Sequence, residues 1–210
     1  ARRELWVRAL DPGDALGLAF LDATTGELRA TSVAASAGAP GLPAELREEL
    51  RRVGPREILL PRSAPPELGA ALRELLPDAA QSLVDPESFE PGRAPRHPDG
   101  LTAQATGPEA RAAAALLAYL GAQQPFALAQ VGRLRRYRIA DSMVLDEATR
   151  AHLELFRSAE DGSRRHTLIE RIDRASTPLG SRRLARWLAY PLLDPAAVAA
   201  RQDAVAFLAE

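Results

Sequence analysis

A short basic stripe in the second half of the chain is a candidate for contact with phosphate groups. Residues 133–138 have the sequence RLRRYR, in which four arginines are interleaved with a leucine and a tyrosine. Guanidinium groups match phosphate oxygens geometrically, so this composition favours a phosphate contact. Residues 106–210 nevertheless contain 15 arginines against 12 acidic residues, a weak excess, and a solvated or interface face is the alternative. The phosphate hypothesis concerns Arg133, Arg135, Arg136 and Arg138.

The carboxyl group of Asp11 is a second candidate for chemistry. The apolar residues 5–10, followed by Asp11-Pro12-Gly13, resemble the first strand of RuvC-type resolvases in the ribonuclease H superfamily. That resemblance implies a metal-dependent nuclease in which Asp11 binds a cation, and such a site needs several converging carboxylates. The alternative is an ordinary turn, since Asp beside Pro and Gly is common turn chemistry. The candidate partner carboxylates are Asp14, Asp22, Glu57, Asp85 and Glu87.

Other reactive groups do not form a recognisable site. The histidines are scattered as His97, His152 and His166, without the spacing of a metal-binding pair. The chain has no cysteine, no G-x-S-x-G nucleophile motif and no glycine-rich nucleotide-binding loop. We therefore expect no catalytic residue, no metal and no cofactor bound by this chain itself.

Composition indicates a globular chain of one large or two small domains. The 210 residues are 46% hydrophobic and 26% charged, with a net charge of −1. The 27 basic residues are all arginine, which indicates a compositional bias more than a binding adaptation. The absence of cysteine, of a signal sequence and of a long apolar run predicts a soluble, cytoplasmic protein. Because the first residue is not Met, we expect a piece of a longer chain.

The first half alternates strand and helix signals in the order β-β-β-α-β-α-β, which predicts a small α/β sandwich. The predicted strands cover residues 5–10, 16–21, 27–33, 57–60 and 81–84, and the helices cover residues 44–53 and 66–76. Residues 85–100 contain four prolines and two glycines, which predicts a linker. We place the domain boundary after it, giving an α/β domain over 1–105 and a helical domain over 106–210.

Helical patterns dominate the second half. Pro108 begins one helix, which Gly121 is placed to end, and residues 131–137 are ambiguous with an extended alternative. Further helices are predicted over 145–156, 168–175 and 181–188, and a last one is capped by Asp194. These helices do not close a bundle before residue 210, so we expect a partial, all-α domain.

Two stretches of the helical half are more specific than a generic helix pattern. Residues 142–155 are SMVLDEATRAHLEL, and residues 168–208 are LIERIDRASTPLGSRRLARWLAYPLLDPAAVAARQDAVAFL. Together they resemble the core, or lever, domain of the MutS family of DNA mismatch-recognition ATPases. The matching residues are Leu145, Asp146, Thr149, Leu153, Glu154, Asp173, Thr177, Gly180, Arg182, Leu184, Trp187, Leu188, Pro191, Leu192, Asp194, Arg201, Asp203, Ala204 and Val205. The departures are His152, where the family usually has Asn, and Ile172, which replaces Leu.

The first half is similar to the connector domain of the same family. The segments LGLAFLDATTGELRATSV and ELRRVGPREILLP match its hairpin and its following helix and strand. This resemblance implies a ribonuclease H-like module without nuclease residues, so the likeness around Asp11 would reflect a shared fold without shared chemistry.

The resemblance also implies a joint in the core domain, where one helix ends and the next is redirected. The joint residues are Thr177, Pro178, Gly180, Arg182, Trp187, Leu188, Pro191 and Asp194. Pro178 and Gly180 permit the redirection, and we expect Trp187 and Leu188 to be buried. In the family such helices act as levers between nucleotide state and DNA grip; packing without a signalling role is the alternative.

The implied function is that of a non-catalytic segment of an ATP-dependent mismatch-recognition protein, linking mismatch reader, clamp and ATPase. The parent protein would use ATP and Mg²⁺, bind mismatched double-stranded DNA and form a homodimer, while this piece would be a monomer. The connector would offer a surface to the MutL partner. Two alternatives stay open, the metal-dependent nuclease using Asp11 and a free-standing protein–protein adaptor.

Overall fold

The structure is a computed structural model that describes residues 6–11, 15–22, 26–34, 42–95 and 107–209. Contacts divide the chain into Ala1–Tyr137, here called the sheet unit, and Arg138–Glu210, here called the helical unit. Among the described residues, all strands of the sheet lie in the first unit. The predicted combination of an α/β part followed by a helical part is confirmed at this level.

The described strands of the sheet unit form one mixed sheet. They are β1 (Trp6–Asp11), β2 (Ala15–Asp22), β3 (Glu27–Ala34), β4 (Glu57–Pro61), β5 (Ala80–Val84) and β6 (Arg135–Arg136). Their order across the sheet is β5-β4-β1-β2-β3-β6. Strands β1, β2 and β3 are antiparallel neighbours, β4 is parallel to β1 and to β5, and β6 is parallel to β3. The element order predicted for the first half is confirmed.

Helices cover both faces of this sheet. They are α1 (Ala44–Val53), α2 (Pro66–Leu75), α3 (Pro108–Gln123) and α4 (Pro125–Leu128). Because side chains alternate along a strand, Leu18 and Phe20 of β2 pack in the core that includes α1 and α2. Ala19 and Leu21 pack in the other core, against α3. Burial on both faces explains why β2 is almost continuously apolar.

Helix α3 packs closely against the sheet because most side chains on its contact face are small. Ala112, Ala113 and Ala115 are fully buried in the core that also holds Leu116. The start of α3 lies so close to β2 that a Cβ on Gly17 would overlap the carbonyl of Pro108. This contact places α3 in the sheet unit.

The compact units therefore divide at a different position from the predicted domain boundary. The structure joins α3 and β6 to the sheet, so the sheet unit ends at residue 137 instead of 105. The described part of the predicted linker is also packed, with 3-10 turns at Pro86–Phe89 and Pro91–Arg93. Phe89 is fully buried beside α3, which a proline-rich composition did not indicate. The assignment of 1–105 and 106–210 to connector and core stays a prediction.

The helical unit consists of short helices and turns. They are α5 (Glu147–His152), α6 (Leu168–Ile172), α7 (Pro178–Ala189) and α8 (Pro195–Ala209), preceded by a 3-10 turn at Ile139–Asp141. The helix predicted over 145–156 ends early because Glu154 adopts a positive φ of 44°. The carbonyls of Glu154 and Leu155 then accept hydrogen bonds from the N–H groups of Leu168 and Ile169. Pairing between these two segments replaces the last predicted turn of helix.

Candidate functional site

The first residues of the predicted joint lie at the start of α7. The Thr177 hydroxyl accepts a hydrogen bond from the N–H of Gly180 (3.1 Å), so Thr177 caps the helix, and Pro178 occupies its first turn. A Cβ on Gly180 would lie 2.9 Å from the Cβ of Ala175. Glycine is therefore required here by the close approach of the preceding turn.

Asp173 connects three segments at this joint. One of its carboxylate oxygens accepts hydrogen bonds from the Ser181 hydroxyl (3.1 Å) and from the N–H of Ala175 (3.2 Å). The other oxygen pairs with the guanidinium of Arg164. This guanidinium is the main reason that the pKa of Asp173 lies below its usual range, with the bond from Ala175 adding to the effect. The polar loop before α6, the turn and the first turn of α7 are thus held together by one carboxylate.

Two guanidinium groups lie near the face of the Trp187 indole. The guanidinium of Arg201, on α8, lies 4.5 Å from the ring centroid, and that of Arg183 lies 5.6 Å from it. Partial burial, and then the like charge of Arg183, lower the pKa of Arg201. The prediction that Trp187 and Leu188 are buried is wrong, since both are half-buried. Charged groups cover the ring incompletely, whereas apolar packing would close over it.

The end of α7 is fixed by a second set of local contacts. Leu192 forms an isolated antiparallel bridge with Ser142, and the Pro191 carbonyl accepts a hydrogen bond from the N–H of Met143 (2.8 Å). The Asp194 carboxylate then accepts bonds from the first N–H groups of α8, at 3.0 and 3.3 Å. Asp194 is therefore the helix cap that its sequence predicts. Arg182 is half-buried on α7.

The arginine stripe does not act as one basic patch. Arg135 and Arg136 form β6, where the Arg136 guanidinium lies 3.7 Å from the Glu109 carboxylate. In the helical unit, Arg138 pairs with Asp141 at 2.7 Å, and this bond raises the pKa of Arg138 and lowers that of Asp141. Arg133 and Arg135 are exposed. Carboxylates thus neutralise part of the stripe, and phosphate contact stays a prediction for the remainder.

The nuclease hypothesis is not supported. Within the described part of β1 and β2, Asp11 pairs with Gly17 at one end of the hairpin, while Asp22 pairs with Trp6 at the other. Five residues of strand separate these ends, or about 17 Å. The side chain of Asp11, and all of Asp14, lie outside the described residues.

The remaining carboxylates named for the nuclease have structural partners. Asp85 pairs with Arg62 at 3.1 Å, and Glu87 pairs with Arg93 at 2.6 Å. Glu57 accepts hydrogen bonds from other side chains of the sheet unit. No group of three or more potential metal ligands occurs among the residues that the structure describes.

The histidines do not combine with other groups at a site. His152 ends α5 and His166 lies in a turn with a φ of 63°, and both are exposed. His97 lies outside the described residues. In the same described part, no helix is long and apolar enough to cross a membrane.

Two partly buried phenol–carboxylate pairs of the sheet unit were not predicted. Tyr137 donates a hydrogen bond to Glu49 (2.8 Å), and Tyr119 donates one to Glu57 (2.7 Å), which also accepts from Ser82. Burial, and then the Glu57 carboxylate, raise the pKa of Tyr119. The partners are 88 and 62 residues apart. The only sequence signal was Glu49 itself, a charged residue next to the apolar positions of α1.

Comparison with known proteins assigns both units to one family. The family model for MutS domain II matches residues 5–82, and that for MutS domain III matches residues 148–210. Proteins named DNA mismatch repair protein MutS are similar over most of the chain. That of Myxococcus xanthus is 40% identical over 200 residues, which are 90% of this chain and 22% of the relative.

The other relatives give the same picture. That of Anaeromyxobacter sp. (strain Fw109-5) is 40% identical over 98% of this chain and 23% of its own length. That of Synechococcus elongatus is 34% identical over 98% of this chain and 25% of its own length. This chain thus spans about a quarter of the length of the relatives it matches. With domain II matched in its first part and domain III in its last, the chain belongs to the MutS family of DNA mismatch repair proteins.

Proposed function

We propose that this chain is the connector and the first part of the core, or lever, of an ATP-dependent mismatch-recognition protein. Its role is to transmit conformational signals between mismatch reader, clamp and ATPase, and it performs no chemistry itself. The joint around Asp173 carries this proposal, because transmission needs rigid elements joined at a defined corner instead of reactive groups. There, hydrogen bonds from Ser181 and Ala175 and the ion pair with Arg164 fix the start of α7.

We propose that the sheet unit is a ribonuclease H-like connector that has no nuclease site. The strand order supports this, with an antiparallel β1-β2-β3 meander extended beside β1 by the parallel strands β4 and β5. The connector would serve as an adaptor that offers a surface to MutL.

The longer protein would be a cytoplasmic homodimer that binds mismatched double-stranded DNA and uses ATP with Mg²⁺. The residues of this chain do not fit an ATP site, since it contains no lysine and no glycine-rich phosphate loop. Its described carboxylates also do not cluster for Mg²⁺. ATP and Mg²⁺ would therefore bind to other parts of that protein, and this piece alone would be a monomer.

The first test is DNA binding by this chain, measured by fluorescence anisotropy with mismatched and matched duplexes. At low salt with Mg²⁺ present, we expect weak binding without mismatch preference, and intact DNA. Replacing Arg133 and Arg135 together by Ala should reduce this weak binding and its salt dependence. Tight mismatch-selective binding would place the recognition surface in this chain, and cut DNA would restore the nuclease hypothesis.

The second test addresses transmission in the full-length protein that carries this segment. Trp187→Ala should reduce the difference between ATP hydrolysis rates on mismatched and matched DNA, because it removes the ring that joins Arg201 of α8 to α7. Binding to the mismatch should persist. The exposed Leu179 of α7 supplies the control, since Leu179→Ala leaves that contact intact. An unchanged rate difference in Trp187→Ala would contradict the proposed role of the joint.

A further inference from the structure

The sheet unit ends in a segment that runs along the edge of the sheet beside β3, with its first and last residues packed on opposite faces. This segment, residues 131–137, is here called the strap. Its first residue, Val131, is 3% exposed and packs in the core beside α3. Its last residue, Tyr137, packs against the core on the opposite face, beside α1 and α2. The next residue, Arg138, is the first of the helical unit.

Few backbone contacts hold the strap between these two ends. The N–H of Gly132 donates to the carbonyl of Gly26 (2.8 Å), and β6 contributes only two residues of pairing with β3. The N–H of Tyr137 then donates to the carbonyl of Ala30 (3.1 Å). A two-residue edge strand gains little from its ladder, so its attachment depends on side chains. Leu134 packs against the core beside α3, the Arg136 guanidinium lies 3.7 Å from Glu109, and the two end residues anchor the segment.

The side chain of Tyr137 is the more specific of these two anchors. Its hydroxyl donates to Glu49, whose carboxylate is 0% exposed. Its ring meets Phe20 edge-on at 5.4 Å, and the Arg29 guanidinium lies over both rings, at 5.3 and 4.4 Å. The same carboxylate also faces the buried guanidinium of Arg52 at 3.6 Å. A buried carboxylate that loses one of its hydrogen bonds is costly even when another partner remains, so Glu49 favours the attached strap.

We propose that the strap is a releasable connection, and that the hydrogen bond from Tyr137 to Glu49 is its latch. With the latch closed, the chain leaves the sheet at a fixed point. With the latch open, β6 separates from β3 and the sheet remains folded. The use of this latch in signal transmission rests on the function proposed above, whereas the latch itself does not.

Limited proteolysis of this chain with trypsin tests the latch, because Arg135 lies within the strap. We expect Tyr137→Phe to accelerate cleavage after Arg135 about tenfold, the effect of losing a hydrogen bond to a charged group on a local opening equilibrium. Glu49→Gln keeps an acceptor for the Tyr137 hydroxyl but removes the charge that faces Arg52 at 3.6 Å, so its own effect includes the loss of that ion pair. The double variant should accelerate cleavage by less than the product of the two single accelerations, since both substitutions act on one bond.

Tyr119→Phe is the matched control, because it removes the equivalent phenol–carboxylate bond to Glu57 in the same unit. It should leave cleavage after Arg135 unchanged. Unaltered cleavage in Tyr137→Phe, or equal acceleration at every tryptic site of the sheet unit, would overturn the latch. The assay contains neither DNA nor nucleotide, so its outcome is independent of the tests of the proposed function.

Discussion

Helices of the two units begin in different ways. In the sheet unit, α1, α2 and α3 follow Pro43, Pro65 and Gly107, and none has a side-chain hydrogen bond at its cap. In the helical unit, α5, α6 and α7 are capped by the side chains of Asp146, Thr167 and Thr177, and Asp194 bonds the first turn of α8. Side-chain caps therefore mark the helix starts of the helical unit, the smaller of the two, and not those of α1 to α3.

The sheet unit, in contrast, has more buried apolar side chains than the helical unit. Most buried apolar side chains belong to the sheet unit, while the buried apolar side chains of the described helical unit are those of Ile139, Leu155 and Ile169. Neither α7 nor α8 contributes a buried residue. Most helical stability in proteins comes from packing an apolar face, so α1 to α3 tolerate uncapped starts. The helices of the helical unit depend more on hydrogen bonds at their ends.

Truncating a large apolar side chain should change the free energy of unfolding very differently in the two units. Leu18 is 0% exposed at the centre of β2, and Leu18→Ala should lower the free energy of unfolding by about 3 kcal/mol, because it leaves a cavity. Leu179→Ala, at a side chain that is 62% exposed on α7, should change it by less than about 0.5 kcal/mol. Urea denaturation followed by circular dichroism measures both. Equal losses would contradict the difference in burial.

Removing a helix cap should destabilise the helical unit, by less than Leu18→Ala destabilises the sheet unit. Thr177→Ala should cost about 1 kcal/mol, since the N–H of Gly180 loses its acceptor. Thr177→Ser retains the hydroxyl and should cost much less. Hydrogen exchange in the first turn of α7 reports the change locally. If Thr177→Ala and Thr177→Ser exchange alike, the cap does not stabilise α7.

Acid should also lower the stability of the helical unit. This effect should be the smallest of the three, because the carboxylates concerned are at the surface and are screened by salt. The pKa values of Asp146 and Asp173 are lowered, chiefly by the N–H of Thr149 and by Arg164 respectively. A carboxylate whose pKa is lower in the folded state stabilises that state at pH values above its unfolded-state pKa, about 3.9. This contribution disappears as the pH falls through the folded-state pKa.

Trp187 fluorescence in a Trp6→Phe background measures this transition in the helical unit. The signal should change below about pH 4, and less steeply in Asp173→Asn, which no longer titrates at that position. Identical titrations for the two proteins would remove Asp173 from the explanation.

Local features of the fold were predictable. The apolar run in residues 16–21 predicted β2, and Asp194 followed by Pro195 predicted the start of α8. The motif in residues 168–208 identified the family, which the domain III match confirms. The signals for β2 and α8 are each contained within one element or its cap, and the family motif is contained within one continuous stretch of sequence.

Several outcomes depended on contacts between distant residues. Phe89 lies in a proline-rich stretch but is buried beside α3, and α3 itself packs on the sheet instead of in the helical unit. Trp187 has the spacing of a buried residue, yet its neighbours are the guanidiniums of Arg183 and Arg201. The spacing of apolar residues predicts which face of a helix or strand is packed, but it does not predict which residues that face contacts.

The sequence by itself determined where most elements lie, that Asp194 caps the last helix, and the family to which the chain belongs. The elements and the cap follow from backbone hydrogen bonding and periodicity over a few neighbouring residues, whereas the family follows from the resemblance of residues 142–155 and 168–208 to a known motif. Only the tertiary structure decided that residues 131–137 lie along the sheet edge and that Tyr137 reaches Glu49. Pairing between residues 88 positions apart reflects the packing of β3, α1 and the strap together, and no local pattern records it.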